Sequence, residues 1–128
     1  SSARFSIMPS TTANFTLASV SGCTKSGSAS TTLYFKNCKA DVNAGVIRMG
    51  FYFDYKHVSG GSSKITGYRS YFYFCIGGSL SNHRFDRMSS KDVRYSADYS
   101  ALFKGFPVGW TDYVGVKVSG TTASTYTN

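Results

Sequence analysis

Between Val46 and Ile76 the chain carries two alternating runs, VIRMGFYFDYKHV and KITGYRSYFYFCI, separated by SGGSS. In the first run Ile47, Met49, Phe51, Phe53 and Tyr55 hold the odd positions, while Arg48, Tyr52, Asp54 and Lys56 make the even positions mostly polar. Successive side chains of a strand point to opposite faces, so this period of two marks a half-buried β-strand. Gly60 and Gly61 supply the positive-φ freedom that a hairpin loop needs.

Pairing Ser59 with Lys64 across the loop sets a register. Val58 then faces Ile65, Tyr55 faces Tyr68, Phe53 faces Ser70, Phe51 faces Phe72, Met49 faces Phe74 and Ile47 faces Ile76. That face is nearly all apolar and is the expected core side. The other face sets Asp54 across from Arg69 and Tyr52 across from Tyr71, with Lys56 and Tyr73 nearby. A one-residue slip would bury Arg69 among Phe51 and Phe53 without a partner. The expected outward face therefore carries Tyr52, Lys56, Arg69, Tyr71 and Tyr73. Such a cationic, aromatic patch suits an anionic ligand, and cover by another subunit would be an equally physical use.

A chain of 128 residues makes one domain, 1–128, with room for a hydrophobic core. All six acids are Asp; Glu and Gln are absent and only four Leu occur, so strong helix formers are scarce. Ten Tyr and ten Phe imply a core built largely of rings. Short alternating pieces are expected at Phe5–Ile7, at Phe15–Leu17, over 31–36 and over 111–119. Residues 21–30, 37–45 and 77–79 read as loops, 83–87 as a dense charged stretch, 106–110 as a turn, and the tail from 119 as loose. The stretch 91–104 fits a helical stripe, but Val93, Tyr95, Ala97, Tyr99, Ala101 and Phe103 fill every odd position and favour a strand. The expected fold is all-β: an antiparallel β-sandwich or jelly roll of about eight short strands.

Fourteen Lys and Arg give a net charge of +8, which points to an acidic partner such as nucleic acid, an anionic glycan or a lipid head group. No segment has the ~18 apolar residues of a membrane-spanning helix. Cys23 and Cys38 sit in polar surroundings and could close a short loop, while Cys75, in YFYFCI, reads as a buried thiol. Asn14-Phe15-Thr16 is a glycosylation sequon that would suit a secreted protein.

Acid–base chemistry has two histidines to draw on. His57 follows Asp54 by three residues and His83 precedes Asp86 by three, an offset that separates partners across a strand. No nucleophile elbow, phosphate loop or zinc spacing occurs, so neither a metal site nor a cofactor is expected. Residues 48–55 echo the RNA-recognition-motif strand with an inserted Met, without the two helices that fold needs. Tyr, Ser, Asn, Gly and Arg on a rigid β-framework are instead the chemistry of adaptable binding faces. In composition and architecture the chain resembles the small β-rich heads of viral and phage fibres, or adhesin tips. This implies a non-enzymatic recognition module, secreted or on a virion surface, that binds a cell-surface receptor or anionic glycan, with a homotrimer as the expected oligomer. A secreted basic toxin or ribonuclease, an RNA-binding β-barrel and a capsid-type domain are the alternatives.

Overall fold

A computed structural model of the protein describes residues 17–128, and every regular element among them is a strand. The piece expected at Phe5–Ile7 lies outside the described residues. In chain order the strands are β1 (Leu17–Ser21), β2 (Thr24–Gly27), β3 (Thr32–Asn43), β4 (Ile47–Val58), β5 (Ser63–Cys75), β6 (Ser79–Ser89), β7 (Asp92–Phe103), β8 (Phe106–Ser119) and β9 (Thr122–Thr127). The first sheet runs β1-β3-β4-β5, with β2 following β1 along the same edge of β3. The second runs β6-β7-β8-β9. All pairings are antiparallel. Each sheet is thus a run of consecutive strands, and the molecule is a β-sandwich of two meanders without the Greek-key crossings of a jelly roll.

The core lies between the sheets. Leu33, Phe35, Val42, Met49, Phe51, Phe53 and Tyr55 line it from the first sheet; Val93, Tyr95, Tyr99, Val114, Val116 and Val118 line it from the second. Rings do the filling that Leu does elsewhere. Phe35 stacks on Tyr55 at 4.3 Å, and Phe51 meets Phe85 edge-on at 5.4 Å. Each such buried ring contributes roughly 1.5–3 kcal/mol from burial. The ambiguous 91–104 is strand, with Val93, Tyr95, Ala97 and Tyr99 all buried.

The central hairpin forms, but in a different register. Phe53 faces Tyr68, Met49 faces Tyr73 and Ile47 faces Cys75, with irregularities between Gly50 and Tyr52 and between Asp54 and Tyr55. The difference begins at the turn, where His57 pairs with Ser63 in place of Ser59 with Lys64; further on, Thr66 and Ser70 are extra residues of β5 with no partner in β4, and Ser70 sits at φ 57°. A bulge of one residue turns every later side chain to the other face. Tyr71 and Tyr73 therefore point to the inner side, while Phe72 and Phe74 point outward. Asp54 lies across from Gly67 and Tyr52 across from Arg69, so neither expected pair is directly opposed, although Arg69 reaches Asp54 on the diagonal.

Elsewhere four stretches read as loop, turn or loose tail are strand. The 21–30 loop contains β2, the 37–45 turn carries β3 on to Asn43 past a bulge, the turn expected over 106–110 is the start of β8, and the tail holds β9. The charged 83–87 stretch belongs to β6. Cys23 and Cys38 form a disulfide. Cys75 is free but only half-buried, because the end of β5 is a sheet edge; its thiol donates to the Gly78 carbonyl at 3.2 Å.

Candidate functional site

The outer face of the first sheet is built on β4, whose outward positions are Arg48, Gly50, Tyr52, Asp54 and Lys56. Register fixes what stands beside each. Lys39 and Arg69 flank Tyr52, Asp41 and Phe72 flank Gly50, and Tyr34 and Lys64 flank Lys56. Gly50 has no side chain, so the Phe72 ring lies over it; a Cβ at 50 would collide with that ring and with the Ala40 carbonyl. Lys39 and Arg48 approach the face of the same ring at 5.2 and 5.7 Å.

Strands β3 to β5 hold six Lys and Arg (Lys36, Lys39, Arg48, Lys56, Lys64, Arg69) against two carboxylates, Asp41 and Asp54. Both carboxylates are committed. Arg48 forks onto Asp41 through Nε at 3.0 Å and Nη2 at 2.7 Å. Arg69 donates to both Asp54 oxygens, at 2.9 and 3.2 Å, and also to the Asn37 side-chain oxygen. Asn37, at φ 58° in the β3 bulge, turns its own N–H onto Asp54 at 2.7 Å. Burial pushes the Asp54 carboxyl up, but Arg69, the Asn37 N–H and the charge of Lys36 together hold it below its ordinary value. Lys56 and Lys64 stand directly opposite one another, with the exposed ring of Tyr34 alongside.

Of the five residues singled out from sequence, Tyr52, Lys56 and Arg69 share this face. Tyr71 and Tyr73 belong to a separate group where the edges β5 and β6 part. His83 packs against both rings, 5.0 Å from Tyr71 and 4.2 Å from Tyr73, and its Nδ1 hydrogen-bonds the Tyr95 hydroxyl at 2.8 Å. Burial drives that hydroxyl well above the ordinary tyrosine range, helped by Tyr71 and Tyr73. Sequence reasoning missed Tyr34, Lys39, Arg48, Lys64 and Phe72. One signal was present: a Gly within a strand run marks the close approach of another group.

The other histidine, His57, pairs through Nδ1 with the Ser63 hydroxyl at 3.1 Å. Among the described residues no three or more His, Cys, Asp or Glu gather as metal ligands. No helix among them is long and apolar enough to cross a membrane.

A second feature lies at the end of the sandwich where β3 turns into β4. A cleft of about 210 Å³ opens between the sheets, walled by Val42, Val46, Ile47 and Met49 on one side and by Trp110, Asp112 and Tyr113 on the other. Burial raises the Asp112 carboxyl above its ordinary value, and the Trp110 side chain offsets this only in part.

No known protein family matches the chain, and neither does any curated protein. Among solved structures it is similar to a hypothetical protein, lmo2686 from Listeria monocytogenes EGD-e, at 22% identity and a TM-score of 0.59. The match covers 84% of this chain and 74% of that one, and what the two share is the fold.

Proposed function

We propose that this chain is a non-enzymatic extracellular recognition module that binds anionic glycans of a cell surface through the outer face of its first sheet. The observation that carries this reading is the Lys56–Lys64 pair. Like charges directly opposite one another in a sheet are destabilising, and both carboxylates of the face are already engaged by arginine. A sulfate or carboxylate bridging the two ammonium groups removes the repulsion. Tyr34 and Tyr52 beside them offer ring surface for a sugar to stack on. Lys39 and Lys36 extend the positive field, so polyanionic chains are favoured over isolated charges.

The Cys23–Cys38 disulfide fits a protein that works outside the cell. A homotrimer would display three such faces and multiply weak single-site binding. The test is binding to an array of sulfated and sialylated glycans, followed by Lys56→Ala/Lys64→Ala. Lys64 is exposed and Lys56 half-buried on the outer face, away from the core, so the variant folds; its affinity for the best anionic glycan should fall at least about tenfold, as loss of paired charges at a binding face does. Unchanged affinity, or binding of neutral glycans alone, would overturn the reading. Hydrolysis of RNA or glycan that is lost in His57→Ala or His83→Ala would replace it with an enzyme.

A further inference from the structure

Strands β7 and β8 outrun their neighbours. β6 last pairs with β7 at Ser79 and Ser100, and β9 last pairs with β8 at Thr127 and Val114. Residues 101–108 therefore stand out as a two-stranded finger, closed by Lys104 and Gly105 at φ 50° and 82°. Both of its faces are apolar. Leu102 pairs with Pro107, Phe103 with Phe106 and Ala101 with Val108. Leu102, Phe103 and Phe106 are 73%, 64% and 72% exposed. A lone two-stranded ribbon is marginal in water, and one that is apolar on both faces needs to be enveloped.

The cleft at the root of the finger has the opposite need. Within its apolar walls the Asp112 Oδ2 is buried and has no hydrogen-bond partner among the described residues. A carboxylate oxygen left so is costly. Lys104 is the one charged residue between Asp98 and Asp112. It cannot serve the Asp112 of its own chain, because the six steps from Phe106 to Asp112 span about 20 Å of extended strand.

We propose that the finger of one copy of this chain docks in the root cleft of a second copy, pairing the Lys104 ammonium with the Asp112 carboxylate and setting Phe103 and Phe106 against Val46 and Trp110. The finger supplies the cation and the apolar bulk; the cleft supplies the anion and the walls. The exchange closes reciprocally as a dimer or in sequence around a ring, and the contact is the same in both. A lipid bilayer would also envelop the finger, but it would receive Lys104 at the leading tip, which is costly, and would leave Asp112 unpaired. This inference does not depend on glycan binding.

Native mass measurement at increasing protein concentration should show a dimer or a closed ring. Lys104→Met and Asp112→Asn should each weaken association at least about tenfold, as removal of one partner of a buried charge pair does, with the circular dichroism spectrum unchanged. Leu102→Ser, at an exposed position, should weaken it without touching the pair. Carbodiimide treatment of mixed isotope-labelled and unlabelled chains should couple Lys104 of one kind to Asp112 of the other. A monomer at every concentration reached would overturn the proposal, as would association indifferent to all three variants. So would a monomer that binds phosphatidylglycerol vesicles through the finger.

Discussion

Tyr126 is held by three neighbours on the outer face of the second sheet. Its ring covers Gly115, its hydroxyl donates to Asp92, and it accepts from Arg94 Nε at 2.9 Å. Burial and Asp92 push that hydroxyl up to about 12, against the pull of Arg94. An unfolded tyrosine loses its proton near pH 10. Between these values the folded chain keeps a proton the unfolded chain has released, so stability falls as pH rises through the window. The urea midpoint of the native protein should drop from about pH 10 toward 12, and Tyr126→Phe should flatten that slope. Equal slopes in the two proteins would exclude Tyr126 as a source. Neither this residue nor the fate of Tyr71 and Tyr73 was legible in the sequence. The alternation through SYFYFC is regular on either reading, and only the left-handed backbone at Ser70, a residue type that rarely adopts it, decides which set faces in.

Elements with an apolar face to bury announced themselves, and the polar strands β2, β6 and β9 did not. β4 and β7 alternate because both are flanked by strands and packed on the other sheet. β6 buries only Leu80 fully, β2 is exposed throughout and β9 has no fully buried residue. With so little to hide, nothing imposes a period of two on them, and their polar sequences do not announce strands. The first edge is held in part by a covalent tie. Cys23, between β1 and β2, is bonded to Cys38 in the β3 bulge, 15 residues away. Closing a loop of that length stabilises by roughly 3 kcal/mol. Cys23→Ala/Cys38→Ala should lose about that much in urea unfolding, and reduction of the native protein should match it. A loss well under 1 kcal/mol would mean that strand pairing alone holds the edge.

At the scale of the whole molecule, class was legible and connection was not. Missing Glu and Gln, few Leu and abundant rings dictate sheets, yet alternation says nothing about which strand follows which in space. Three of the five candidate binding residues kept their face because Tyr52 and Lys56 belong to β4 and Arg69 precedes the Ser70 bulge. The order of connection has a consequence for biosynthesis. One sheet is complete by Cys75, before the other begins at Ser79. A nascent chain at that point holds a finished sheet whose inner face, with Phe51, Phe53 and Ile65, stays bare until Tyr95, Val114 and Val116 have been made. Such an intermediate is a natural client for a chaperone and a seed for aggregation. A chain truncated after Gly78 should bind a hydrophobic dye and sediment, and a separately made 79–128 fragment should suppress both. A truncated chain that stays soluble and dye-free would show that the first sheet shields itself until its cover arrives.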